Sequence, residues 1–331
     1  MAPNQLLFDR TISRPRPWWA TLGLCVGLLG LPIVAATLDG VLLEMLDNGL
    51  WRVLLAPVVV SLYIILIAPA LVRMGEVVLA ALRSLTTLSE IEFQNLVEVH
   101  AAIKPVYEFL VMGVGVAAGL WLGRQANFDA QVAWLEAYWI GASGLMWGLL
   151  VWTIFVSLAS TRVTTAAHRY LGPIDLFDLS PFEPISRQSL LLSLVFVGGI
   201  TLSLFFSFNL PNLRSPMFWF VYLLLALVPV LVFFMNMRST HQALAAEKNR
   251  QLLAVQRQLQ PLGSSLLQSL EQKPVDGEVP SQLAALLSYE ERLKETRTWP
   301  YNTPMLRSLF FSVLIPLATV LARLVIEVLK P

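Results

Sequence analysis

The sequence predicts an all-α protein, a polytopic helical membrane protein with about seven spans. Of its 331 residues, 56% are hydrophobic and only 14% are charged, whereas soluble domains average about 25% charged residues. Long runs of Leu, Val and Ile recur along the chain, together with ten Trp and seventeen Phe. Several of these runs reach the roughly 20 residues that a helix needs to cross a bilayer.

The apolar runs group into pairs. Short connections join the first run to the second, the third to the fourth and the fifth to the sixth, while longer polar segments separate the pairs. This pattern predicts three helical hairpins followed by a C-terminal helix. The predicted spans are Trp18–Leu38, Trp51–Val72, Pro105–Gly123, Tyr138–Ser160, Gln188–Phe208, Met217–Met237 and Met305–Leu329.

The distribution of Lys and Arg predicts the orientation. Most basic residues near the span ends lie on the same side as the N-terminus, and such an excess marks the cytoplasmic side. We therefore expect a cell membrane (inner or plasma) with the N-terminus in the cytoplasm. The predicted regions are a cytoplasmic tail at 1–17, a six-span membrane domain at 18–237, a cytoplasmic helical hairpin at 238–299 and a C-terminal membrane helix at 300–331.

The segment 84–104 predicts an amphipathic cytoplasmic helix. Thr87 with Glu90, or Ser89 with Glu92, has the three-residue spacing of a capping box, in which each side chain satisfies a backbone donor at the other position. The apolar residues expected to share one face are Leu88, Ile91, Val99 and Ile103.

The region 238–299 predicts a helical hairpin with a short, coiled-coil-like apolar stripe. Pro261 and Gly263 are expected to kink or break its first helix, and the turn-rich loop 273–280 separates the two halves. We expect the stripe to pack within the protein, with a partner as the alternative. The stripe comprises Leu252, Val255, Leu259, Leu262 and Leu266, and the second half Leu283, Leu286, Leu287, Glu290 and Leu293.

The stretch 172–187 predicts an elbow at the membrane interface. Proline suits the first position of a helix, and an acid at the third position accepts from free amides. Its apolar side chains are expected in the interface and its acids in water or paired with cations; a regulatory ion-pair cluster or a metal site is the alternative. The residues assigned to the elbow are Pro173, Asp175, Asp178, Ser180, Pro181 and Glu183.

Glycines recur every four residues in three of the predicted spans. This spacing exposes a groove of backbone along which two helices can approach closely. We expect these faces to be tightly packed, either within one subunit or between subunits. They are formed by Gly23 and Gly27 in the first span, by Gly115, Gly119 and Gly123 in the third, and by Gly144 and Gly148 in the fourth.

A few polar residues of the spans are candidates for a pore. Glu108 is expected to form an interfacial pair with Lys104, and a pore or gate acid is the alternative. Ser193, Thr201, Ser203 and Ser207 give the fifth span hydroxyls that can line a passive pore. The same hydroxyls can instead bond within their own helix or to a neighbouring helix.

Composition and motifs narrow the function. The net charge of +1 and the lack of a long basic block disfavour nucleic-acid binding. Cys25 is the single cysteine, and neither the three histidines nor the rest of the sequence forms a metal-binding, nucleophile or P-loop motif. We therefore expect no enzyme, no cofactor and no metal.

The leading hypothesis is a non-enzymatic membrane protein that acts as a scaffold or as a regulatory or signalling component through its cytoplasmic helices. Its expected partners are the lipid bilayer and either further copies of itself, as a homo-oligomer, or a membrane or cytoplasmic protein. The alternative is an oligomeric ion channel or a passive transporter.

Overall fold

The computed structural model describes residues 17–101, 104–125, 132–207, 216–272, 278–300 and 303–328. The all-α prediction is confirmed over these ranges. Residues 1–16 of the predicted cytoplasmic tail lie outside the described residues. The helices are α1 (Trp18–Leu38), α2 (Leu42–Asp47), α3 (Leu50–Leu85), α4 (Glu90–Ala101), α5 (Pro105–Gly123), α6 (Ala133–Ala167), α7 (Glu183–Ser207), α8 (Pro216–Gln272), α9 (Glu278–Glu295) and α10 (Thr303–Val328).

Among the described residues, six helices are long and apolar enough to cross a membrane, namely α1, α3, α5, α6, α7 and α8. They contain the six predicted spans of the three hairpins, except for Phe208 at the end of the fifth, which lies outside the described residues; the protein is therefore a multi-pass membrane protein. The helix α10 has 26 residues. The apolar part of it in which the structure describes every side chain, Thr303–Pro316, is shorter than a full span. It starts beside α7 and α8, where its Leu309 packs against Phe233 and Met237.

Three of the spanning helices continue far beyond the membrane. The helices α3, α6 and α8 have 36, 35 and 57 residues, which correspond to about 54, 52 and 86 Å at 1.5 Å per residue. A hydrocarbon core is only about 30 Å thick. Together with α4, α9 and the residues 168–185, their projecting ends form a second layer, which we call the extramembrane subdomain.

The helix α8 is not broken at Pro261 and Gly263, because it continues through both residues. A proline inside a helix removes one backbone hydrogen bond. The hydroxyls of Ser264 and Ser265 donate to the Pro261 carbonyl at 2.9 and 2.8 Å, which adds hydrogen bonds in the following turn without replacing the missing one.

A single apolar core holds the extramembrane subdomain together. Val255 of the α8 stripe faces this core, so the stripe packs within the protein. Lys248 of α8 also donates to the carbonyls of Lys294 and Thr296 at 2.7 and 2.8 Å, which holds the end of α9 against α8. The buried residues of the core are Val78, Leu82, Phe93, Leu96, Ala166, Ala167, Leu176, Phe182, Ile185, Leu244, Val255 and Leu293.

The helix α4 begins with a capping box formed by Ser89 and Glu92. The Ser89 amide donates to Glu92 at 2.8 Å, and the Glu92 amide donates to the Ser89 hydroxyl at 3.3 Å. Glu90 does not join Thr87 in such a box, because it pairs with Arg83 at 2.9 Å.

The face of α4 that meets the core differs from the predicted one. Ile91 and Val99 are exposed, whereas Phe93 and Leu96 are buried; Ile103 lies outside the described residues. Arg83 pairs with Glu90 and lies over the ring of Phe93 at 5.7 Å. These contacts with the end of α3 select the rotation of α4, which its own apolar spacing could not.

Candidate functional site

A cavity lies between α3, α5, α6, α7 and α8, in the half of the bundle that is farther from the extramembrane subdomain. Its volume is about 300 Å³, at the lower end of the usual range for ligand pockets. The lining is mainly apolar and includes four aromatic side chains and three aliphatic hydroxyls. These residues are Tyr63, Trp139, Trp147 and Phe196, and Ser143, Thr153 and Ser203.

Two glycines of α7 make room for one wall of this cavity. A Cβ atom at Gly198 would collide with the hydroxyl of Tyr63, and one at Gly199 would meet its ring at 3.8 Å. The Tyr63 side chain therefore packs directly on the backbone of α7. Gly199 itself lines the cavity, so a larger side chain at this position would project into it.

The glycine faces of α5 and α6 form one close helix contact beside the cavity. A Cβ atom at Gly119 would lie 2.5 Å from the Ser143 carbonyl oxygen, and one at Gly115 would lie 2.7 Å from that of Trp147. The backbones of α5 and α6 thus touch. The remaining glycines of this contact are Gly123, which faces Ile140, and Gly144 and Gly148, which face Leu120 and Val116.

The glycine face of α1 has different surroundings. A Cβ atom at Gly23 or Gly27 would meet no atom within 4 Å. Among the described residues, this face therefore makes no close helix contact within the subunit.

Glu108 is fully buried, whereas the sequence suggested a position at the surface beside Lys104. The indole nitrogen Nε1 of Trp152, on α6, donates to its carboxylate at 3.0 Å. Glu108 therefore belongs to the α5–α6 contact, and it does not line the cavity. The sequence could not reveal this partner, which is 44 residues away.

Of the hydroxyls singled out in the fifth span, Ser203 lines the cavity, whereas Ser193 and Thr201 do not. Ser193 donates to the carbonyls of Ser189 and Pro229 at 2.9 and 2.8 Å, so it joins α7 to α8. Thr201 donates to the Val197 carbonyl of its own helix at 2.8 Å. The cavity hydroxyls of Ser143 and Thr153 escaped the sequence analysis, although they share a face of α6.

The two aspartates of the elbow stabilise turns of the backbone. Pro173 begins no helix, because residues 172–179 are irregular. Asp175 accepts from the amide of Phe177 at 2.8 Å, and Asp178 accepts from the amide of Ser180 at 3.0 Å. Hydrogen bonds from the hydroxyl and amide of Ser180 lower the pKa of Asp178, as expected for a carboxylate held in its charged form.

The second half of the elbow starts α7, although not through the expected pair. Ser180, Pro181 and Phe182 form a short 3-10 turn, and α7 begins at Glu183. Glu183 binds Arg187 of the next turn at 2.8 Å instead of reaching back to Ser180. Asp178 therefore binds the amide at the start of the 3-10 turn, and no bond between the side chains of Ser180 and Glu183 caps α7.

Two of the apolar side chains of the elbow pack into the protein, so the predicted position in the membrane interface is wrong for these two. Leu176 and Phe182 are each 1% exposed, inside the core of the extramembrane subdomain. That core exists because α8 and α9 return beside the elbow. In the part of the chain that the structure describes, no group of three or more His, Cys, Asp or Glu residues could hold a metal ion.

No family model, curated protein or solved structure matches this chain. A functional interpretation therefore depends on the geometry of the cavity and of the extramembrane subdomain.

Proposed function

We propose that the protein is a non-enzymatic membrane component that regulates or scaffolds a partner through its extramembrane subdomain. The carrying observation is that α3, α6 and α8 line the cavity and, without interruption, also build the core of the subdomain. Well-packed helices move as units because their interiors are close to crystal density. A rearrangement around the cavity would therefore displace the subdomain surface.

A partner surface is available where the elbow meets α9. Phe177 and Tyr289 pack edge to face with their ring centroids 5.7 Å apart, and Arg292 lies 4.9 Å over the Phe177 ring. Both rings stay partly exposed, at 43% and 37%. Aromatic residues and Arg are enriched at the energetic centres of interfaces, so we propose this Phe177–Tyr289–Arg292 surface as the contact with an acidic segment of a partner protein.

The orientation follows from charge. The excess of Lys and Arg on the side of the subdomain favours a cytoplasmic location for it. The proposed partner is therefore a cytoplasmic protein or the cytoplasmic part of a membrane protein.

Site-specific photo-crosslinking in intact cells tests this function. A photoreactive amino acid at Ser288, an exposed residue one turn before Arg292, should give a discrete protein adduct that Arg292→Glu abolishes. The matched control is the same group at Leu227, an exposed apolar residue in the membrane part of α8, which should give no such adduct. The proposal fails if Ser288 gives no protein adduct, or one that Arg292→Glu leaves unchanged.

A passive transporter is the second candidate, because the cavity lies inside the bundle among five helices. Its largely apolar lining disfavours a continuous water-filled pore, since water is stable in a cavity only where enough polar groups bind it. Ion flux through liposomes that contain the purified protein would favour a channel and count against the regulatory proposal.

A further inference from the structure

The cavity-lining face of α6 continues toward the subdomain as a polar face. The lining follows a three- and four-residue spacing down to Thr153, and such a spacing keeps side chains on one side of a helix. Beyond Thr153 the same spacing continues from Ser157 to His168, over about 16 Å. Its next positions are Ser157, Thr161, Thr164 and His168.

The helix α8 shows the same change along one face. Its cavity-lining residues Val221, Leu225 and Val228 are followed at three- and four-residue spacing by Val232, Asn236 and Ser239. The two faces meet at the subdomain end, where the Thr240 hydroxyl and His168 Nε2 are 3.3 Å apart.

Four buried polar atoms in this region have no hydrogen-bond partner among the residues that the structure describes: Ser157 Oγ, His168 Nδ1, Asn236 Oδ1 and Ser239 Oγ. Asn236 and Ser157 are only 8% and 5% exposed. Buried polar atoms are nearly always bonded to protein or to ordered water, because an unsatisfied one is costly. Four such atoms on two neighbouring helix faces indicate that polar molecules other than the protein chain itself bind along them.

An apolar layer separates this polar region from the cavity. Leu192 and Phe196 of α7 and Val232 of α8 are buried there, and Ile154 of α6 packs against them. We call these residues the apolar plug. At the opposite end the residues His168 and Ser239 are half-buried, which makes the subdomain side the more open end of this region, although Nδ1 and Oγ themselves are buried.

We propose that α6 and α8 enclose a chain of ordered water molecules, a hydrated half-channel that runs from the subdomain side to the apolar plug. Water suits the four atoms because it both donates and accepts, whereas Asn236 Oδ1 only accepts. Small uncharged polar solutes could replace this water. Among the positions named on the two faces only His168 is ionisable, so they offer no carboxylate for a cation. This inference does not depend on the regulatory function.

Cysteine accessibility tests the half-channel in the full-length protein. Since Cys25 is the single cysteine, Cys25→Ala gives a clean background for Ser157→Cys and Ser239→Cys. Matched controls are Ser61→Cys and Ser189→Cys, whose native hydroxyls are buried and bonded to the carbonyls of Pro57 and Ile185. The probe is the membrane-impermeant 2-(trimethylammonium)ethyl methanethiosulfonate, added separately to right-side-out and inside-out vesicles.

We expect both test cysteines to react from the subdomain side, about tenfold or more faster than the controls, because burial away from water suppresses the reactive thiolate by at least that factor. Replacing Asn236 with Leu should slow the deep position, Ser157→Cys, and spare Ser239→Cys. The gel-filtration profile of each variant establishes that it is folded. Reaction of Ser157→Cys as slow as that of the controls, or only from the opposite side, would overturn the proposal.

Discussion

The glycine faces of α5 and α1 share a four-residue spacing but differ in what surrounds them. On α5, the buried residues include Gly115, Gly119 and Gly123, and the α6 backbone lies directly against them. On α1, Gly23 and Gly27 face open space within the subunit, and the buried residues lie instead at its C-terminal half. Both helices otherwise lie at the periphery of the bundle, since only 22% of the apolar segment of α5 and 17% of that of α1 is buried.

The comparison shows that the spacing permits close packing but does not select the partner. Helices α5 and α6 follow each other in the chain, and consecutive elements usually pack side by side. Helix α6 also carries Gly144 and Gly148 beside the glycines of α5, so the glycine faces of the two helices pack against each other. Helix α1 instead meets the rest of the subunit near Ala35 and Ala36, which leaves its glycines free to face lipid or a second copy.

The largest expected effect is from Gly119→Leu. The new side chain would start 2.5 Å from the Ser143 carbonyl oxygen, and overpacking of this kind costs about 1–3 kcal/mol. We expect a clear fall in the midpoint of thermal unfolding in mild detergent. An unchanged midpoint would contradict the close α5–α6 contact.

The second test removes the polar bond of the same contact. Trp152→Phe takes away the indole donor of the buried Glu108, and the loss of a partner for a buried group costs about 1–3 kcal/mol. The control is Glu108→Gln, which retains an acceptor for the indole and should cost less in the same unfolding assay. Equal effects of the two substitutions would show that the indole bond is not the stabilising feature.

The third test concerns the attachment of α1. Asp39, just after α1, accepts from the amides of Trp134 and Leu135 at 3.2 and 2.8 Å, and so caps the start of α6. Asp39→Ala should cost about 1 kcal/mol, as the loss of a helix cap does, and lower the unfolding midpoint modestly. The control is Asp47→Ala at the exposed end of α2, and a midpoint as low as that of Asp39→Ala would contradict the capping role.

The smallest expected effect is from Gly23→Leu, a replacement by the same residue as in Gly119→Leu. Because a Cβ atom there meets nothing within 4 Å, we expect a change below about 0.5 kcal/mol, as for ordinary surface sites. The molecular mass of the detergent-solubilised particle extends this test. A lower mass at an unchanged midpoint would place another copy of the chain against α1, whereas a lower midpoint would contradict the open surroundings of Gly23.

Local sequence determined the membrane elements themselves. The predicted bounds of α1 and α5, Trp18–Leu38 and Pro105–Gly123, agree with the structure. A membrane span must be apolar throughout and must satisfy its backbone hydrogen bonds internally, so its signal lies within one continuous segment. The cap of α4 is local for the same reason, since Ser89 and Glu92 are three residues apart.

Tertiary structure decided the features that depend on distant residues. The end of α3 continues past the predicted boundary at Val72 because Val78 and Leu82 reach a core that α8 and α9 complete. Glu108 is buried because Trp152 lies across from it on α6, and the cavity exists only where five helices meet. Hydropathy and local spacing describe what one helix can bury, whereas the neighbour against which it is buried follows from how all the helices pack together.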